Sequence, residues 1–117
     1  GIEKEYTAIV QGLPDERALN RLEKGVYVEG RKTAPAMVEV THQEPRKGTT
    51  NLKITIHEGR KRQVRLMCEA IGHPVLKLTR TRLGPLRVRG MRPGEARLLG
   101  QKEVDMLRRL VGLADPD

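Results

Sequence analysis

The period of the apolar residues changes once, sharply, at Gly59. Before it, Leu52, Ile54 and Ile56 alternate with Lys53, Thr55 and His57, the two-residue repeat of a half-buried strand. After it, Val64, Met67, Cys68 and Ile71 fall at i, i+3, i+4 and i+7, which places them on one face of a helix. The chain must therefore leave a sheet and enter a helix within a few residues, and both apolar faces need a core to meet. The rest of that helix, with the residues just before it, carries Arg60, Lys61, Arg62 and Arg65. A helix macrodipole favours acidic groups at its N-terminus, so four cations there oppose stability. A polyanion or a buried carboxylate that they must meet explains the choice.

The remaining elements read more simply. Lys4 to Gln11 is a strand with Tyr6, Ala8 and Val10 on one side and Glu5, Thr7 and Ile9 on the other. A chain that opens almost inside a strand suggests that further residues belong before Gly1. Gly12-Leu13-Pro14 turns, Asp15 caps a short helix to Lys24 with Leu19 and Leu22 inward, and Gly25 closes it. Val26 to Val28 is a short strand, and Glu29-Gly30-Arg31 turns out of it. Pro35 opens a strand in which Ala36, Val38 and Val40 alternate with Met37, Glu39 and Thr41. The polar turn Gln43 to Gly48 joins it to the run ending at Ile56 as an antiparallel hairpin. Pro74 to Arg82 is a further strand led by Val75, Leu76 and Leu78, and Gly84-Pro85 turns. Leu86 to Arg89 is a short strand, a Gly/Pro turn follows, and Arg97-Leu98-Leu99 is extended. A last helix runs from Gly100 to near Leu110, with Val104, Leu107 and Val111 on one face. The pattern predicts an α+β fold: about six or seven short strands and about three short helices around one mostly antiparallel or mixed sheet.

Composition narrows the function. At 117 residues the chain is one small domain with a modest core. No apolar run approaches the ~18 residues of a membrane span, and Gly1-Ile2-Glu3-Lys4-Glu5 has no apolar signal region. The single cysteine, Cys68, lies on the apolar helix face and reads as a buried, reduced thiol of a cytoplasmic protein. Lys and Arg number 23 against 15 Asp and Glu, a formal charge of +8. That balance, with clustered arginines, is the footprint of a nucleic-acid binder. The only aromatics are Tyr6 and Tyr27, too few for the stacked platform of an RNA-recognition motif.

Three groups of residues stand out. In Gly59-Arg60-Lys61-Arg62-Gln63-Val64-Arg65, Gly59 permits close backbone approach and Gln63 is a neutral donor and acceptor among cations. Arg65, one turn on, is placed to reach into a cleft; the plainer alternative is a solvated basic face. Tyr6 is either a half-buried strand tyrosine with a bonded hydroxyl or a ring that stacks on a nucleobase. Arg80 and Arg82, with Arg87, Arg89 and Arg92, form a second basic set. Alternate strand residues recur every ~6–7 Å, close to a nucleic-acid phosphate repeat, although solvated edge charge would look the same. His42, His57, His73 and Cys68 lack metal-ligand spacing, and neither a phosphate-binding loop nor a dinucleotide fingerprint is present.

The run from Gly59 to Met67, followed by Glu69-Ala70-Ile71-Gly72-His73-Pro74-Val75, resembles the RsuA/RluB-type ribosomal RNA pseudouridine synthases. Lys4-Glu5-Tyr6 resembles that family's Lys-x-Tyr motif. Leu78-x-Arg80, Gly84, Leu86, Gly94, Arg97-Leu98-Leu99 and Glu103 follow its C-terminal pattern in order. The resemblance implies an enzyme that isomerises uridine to pseudouridine in ribosomal RNA without a cofactor, on a base flipped from its stack. By motif position Tyr6 would stack on the flipped uracil and is a candidate to assist proton removal from C5. Arg65 would pair with the catalytic aspartate and keep it ionised. Arg60, Lys61, Arg62 and Gln63 would meet RNA phosphates or order the cleft, and Lys4, Arg80 and Arg82 are further candidate RNA-binding residues.

The family's aspartate lies in an Arg-Leu-Asp segment upstream of Lys-x-Tyr, and no such segment occurs here. Asp15, Asp105, Asp115 and Asp117 stand in other contexts. The S4-like RNA-binding domain common in the group is also missing. The expectation is therefore that residues 1–117 are the C-terminal portion of the catalytic domain, a partial pseudouridine synthase fold that is inactive alone. An unpaired sheet edge would then favour self-association. The competing reading is a non-catalytic basic RNA-binding module.

Overall fold

A computed structural model describes residues 2–85 of the chain. In order the elements are β1 (Lys4–Gln11), α1 (Glu16–Lys24), β2 (Tyr27–Val28), β3 (Arg31–Lys32), β4 (Met37–Glu44), β5 (Thr49–Ile56), α2 (Lys61–Ala70) and β6 (Val75–Leu83). Four strands form one sheet in the order β4-β5-β1-β6, and β2 and β3 form a separate small hairpin. Every pairing among these strands is antiparallel. The last predicted helix and the strands predicted beyond Gly84-Pro85 lie outside the described residues.

The core follows from register. Tyr6 pairs with Ile54 and Ala8 with Leu52 across β1 and β5, so residues of one parity share one face. Onto that face pack Ala18 and Leu22 of α1 and Val64, Met67 and Cys68 of α2, with Ile71 just beyond it. All four residues of the α2 apolar stripe are buried, three of them completely. Burying each such side chain contributes about 1.5–3 kcal/mol, which is what holds this helix in place despite its cationic start.

Helix ends obey local chemistry. Asp15 caps α1, its Oδ1 accepting from the Ala18 N–H at 2.8 Å, and the Gly25 N–H bonds the Arg21 carbonyl at 3.0 Å. The exit of α2 is a Schellman motif. Gly72 adopts φ +85°, its N–H bonds Glu69 O at 2.9 Å, and the His73 N–H bonds Cys68 O at 2.9 Å. The His73 ring then donates from Nδ1 to the Gln11 carbonyl at 2.8 Å, locking that exit to the end of β1.

Several sequence expectations need correction. Arg31 does not only turn out of β2: with Lys32 it forms β3, which pairs back on β2 and makes a hairpin. β4 continues to Glu44, so the connecting turn is shorter than predicted. Val40, expected on the same side of its strand as Ala36 and Val38, is 36% exposed. Val40 borders a register shift in β4, and a bulge rotates side chains out of alternation. No helix among the described residues is long and apolar enough to cross a membrane.

Candidate functional site

The strand-to-helix junction that the sequence singled out is built around Gly59. Its φ of +77° is a left-handed conformation, and a Cβ there would lie 2.2 Å from Gln63 Oε1, so glycine alone fits without displacing Gln63. The Gln63 amide folds back over the junction, with Nε2 3.5 Å from the Glu58 carbonyl and 3.9 Å from Met67 Sδ. Lys4 Nζ donates to the Gly59 carbonyl at 2.5 Å, pinning the junction to β1. Gln63, expected to meet RNA phosphates or order the cleft, and Lys4, expected to bind RNA, both contact the backbone of this junction.

α2 begins badly by the rules of helix stability. Arg60 occupies the N-cap with extended backbone and no capping side-chain hydrogen bond, and the first turn has no acidic residue. Beside this start lies a cleft of about 550 Å³. Arg31 and Lys32 of the hairpin and Arg60, Arg62 and Gln63 of the junction line it, with Glu29 and Glu58. Both carboxylates are engaged. Glu29 forms an ion pair with Arg62, and Glu58 Oε1 accepts from the Ala34 N–H at 2.8 Å. These two contacts clamp the hairpin against α2 and leave an excess of positive charge in the cleft. Glu29 itself has φ +52°, a strained value for a residue with a side chain.

Arg65 projects from the exposed side of α2 and makes no hydrogen bond or ion pair among the described residues. Arg82 behaves differently. It pairs with Glu3, its Nε lies 3.7 Å from Glu5 Oε1, and its Nη1 donates to the Gly84 carbonyl at 2.7 Å. The hydrogen bond with Glu3 is the chief cause holding its guanidinium above its ordinary value. Glu5 is itself buried, and accepts from Thr81 Oγ1 at 2.6 Å. Arg82, assigned from sequence to an RNA-facing strand, is therefore an internal counter-ion in a second, smaller recess. Arg80 is half-buried opposite Tyr6 in the β1–β6 ladder. Tyr6 has no exposed surface.

The structure thus brings Arg60, Arg62 and Gln63 together in one cleft with Lys4 at its edge. It places Arg80 and Arg82 on β6, beyond β1 from that cleft, and Tyr6 in the core. Among the described residues no three His, Cys, Asp or Glu side chains gather to hold a metal. Sequence reasoning missed the hairpin residues Arg31 and Lys32, because two-residue strands carry no periodic signal.

The family model described as RNA pseudouridylate synthase matches residues 1–70. The chain is 47% identical over 109 residues to the ribosomal large subunit pseudouridine synthase B of Bacillus subtilis, covering 93% of this chain and 45% of that protein. It is 39% identical over 105 residues to the ribosomal large subunit pseudouridine synthase E of Vibrio vulnificus, covering 79% and 44%. A crystal structure of a pseudouridylate synthase superposes with a TM-score of 0.67 at 28% identity, covering 91% of this chain and 45% of that one. The chain spans a little under half the length of these relatives.

Proposed function

The chain belongs to the RNA pseudouridylate synthase family, and from that premise we propose that it is the C-terminal portion of the catalytic domain of a ribosomal RNA pseudouridine synthase. The reaction in this reading needs no cofactor. An aspartate attacks the nucleoside, the N-glycosidic bond breaks, the base rotates, and C5 bonds to C1′ as the C5 proton leaves. The aspartate comes from an Arg-Leu-Asp segment outside residues 1–117. Arg65 holds it ionised, as a guanidinium beside a carboxylate does. Arg60 and Lys61 meet RNA phosphates, while Lys4, Arg62 and Gln63 order the junction that presents them. Tyr6 reaches the flipped uracil only if its ring is uncovered in the complete enzyme. The partner is ribosomal RNA, and the place of action is the cytoplasm.

The observation that carries this reading is Arg65. Arg62 of the same helix and Arg82 of β6 are paired within the chain, whereas Arg65 stands exposed and uncommitted among the described residues. A non-catalytic RNA-binding module would explain the basic cleft equally well but gives Arg65 no particular task.

Tritium release from ribosomal RNA carrying 5-tritiated uridine tests the proposal. The chain alone should show no turnover. Complemented by a polypeptide carrying the Arg-Leu-Asp segment, it should release tritium. Arg65→Gln should then cut the rate by about 10²–10³-fold and move the acid limb of the pH–rate profile upward by about 1–3 units. Turnover by the chain alone would show that its nucleophile lies within it. An unmoved acid limb would remove Arg65 from this role.

A further inference from the structure

The chain has two aromatic residues, and the fold treats them oppositely: Tyr6 is fully enclosed while Tyr27 is 74% exposed. Tyr27 stands on β2, directly opposite Lys32 on β3, and Arg31 pairs with Val28 next to it. Tyr27, Arg31 and Lys32 are all exposed, whereas Val28 packs against the core. A ring left in water gains little from burial, so packing does not account for it. Arg31 and Lys32 have no carboxylate partner among the described residues, since Glu29 is taken by Arg62 and Glu58 by Ala34. They also line the cleft that Arg60 enters from α2.

An exposed ring flanked by free cations on a rigid support is the chemistry that holds a single-stranded nucleic acid. Bases stack on the ring irrespective of sequence, and the cations follow the backbone. The support is rigid here. Thr33 Oγ1 accepts from the Val26 N–H at 2.9 Å, the Thr33 N–H bonds Val26 O at 2.8 Å, and Glu29 and Glu58 clamp the hairpin to α2 and its entry. We infer that the β2–β3 hairpin is a second RNA contact, in which Tyr27 stacks on an unpaired base with Lys32 beside it on the same face, while Arg31, on the face of Val28, holds the strand's phosphates across the cleft from Arg60. The inference rests on the RNA-directed reading above. It assigns base stacking on the open surface to Tyr27, whatever Tyr6 does in the active site.

The test is anisotropy of a short fluorescein-labelled oligouridine titrated with the whole 117-residue chain at several salt concentrations. Tyr27→Ala should weaken binding by about 5- to 150-fold, the range seen when a stacking ring is removed, while Tyr27→Phe should bind as the unaltered chain does. Arg31→Gln with Lys32→Gln should lower the slope of log affinity against log salt by about 1.4. Affinity for a fully paired RNA duplex should not respond to Tyr27→Ala. Circular dichroism should show all variants folded, since none of the three side chains is buried. Undiminished oligouridine binding by Tyr27→Ala would overturn the inference. So would an equal loss in Tyr27→Phe, or no binding by the unaltered chain. Tritium release reports separately on the catalytic reading: its failure beside an intact Tyr27 effect would strike that reading and leave the hairpin contact standing.

Discussion

Cys68 shows how strongly one position is governed by its surroundings. Its side chain is completely enclosed on the apolar face of α2. Burial first, and the Glu69 carboxylate second, push its thiol up to about 12, well above its ordinary value near 9. The unfolded chain therefore releases the thiol proton near pH 9, while the folded chain keeps it until near pH 12. Between those limits the folded state binds more protons, so stability is fully present below the lower value and is lost as pH rises through the window. Urea unfolding of the native chain should show this decline, with a Cys68 share of up to about 1.4 kcal/mol per pH unit. The comparison is with Cys68→Ala, which should be less stable at neutral pH but fall less steeply. Equal slopes for the two proteins would mean that the thiol is not protected. The two tyrosines carry the same lesson. Their identities and strand settings were plain in the sequence, yet which ring is enclosed and which is open depends on the layers stacked around them.

α2 is the element where stability and the proposed function oppose each other. Its apolar stripe was legible because Val64, Met67, Cys68 and Ile71 repeat at helical spacing, and its cationic start because the residues are contiguous. Arg60 at the N-cap satisfies no orphan N–H with its side chain, whereas Ser there would. Arg60→Ser should therefore raise stability by about 0.5–2 kcal/mol. The same change should weaken RNA binding and reduce its salt dependence by about 0.7, one phosphate contact. Unfolding curves and oligouridine titrations on the same preparations check both halves. A variant that loses stability, or gains it with undiminished RNA affinity, would show that Arg60 is not placed there for a polyanion. The small hairpin escaped the sequence reading for a physical reason. Two-residue strands have too few side chains for alternation, and the hairpin is fixed by the bonds of Thr33, Glu29 and Glu58 and by Val28 packing on the core.

Over the whole molecule, the described sheet ends in β4 on one side and β6 on the other. β4 carries Met37 at 59% exposure beside the charged Glu39, and its ladder is interrupted between Val40 and His42. Charges and bulges discourage edge pairing, while an exposed apolar side chain permits it. We propose that the chain associates with itself reversibly through this edge. Sedimentation equilibrium should then show a concentration-dependent dimer that Met37→Lys abolishes. A monomer at every accessible concentration would mean that the bulge and charges suffice. What the linear chain dictated was local. Strand alternation, the helix stripe, the Asp15 cap and the Gly59 and Gly72 breaks all arise from residues within one or two turns of each other. They stand where the sequence placed them, and the family motif reads from the same short-range runs. What the tertiary structure alone decided was the pairing of distant groups. Arg82 meets Glu3 across 79 positions and Arg62 meets Glu29 across 33. Those contacts turn one arginine into an internal counter-ion, another into a clamp, and leave Arg65 and the hairpin cations open. Charge and spacing along the chain cannot distinguish these fates, because each is set by which carboxylate the sheet order and the packed helices bring within reach.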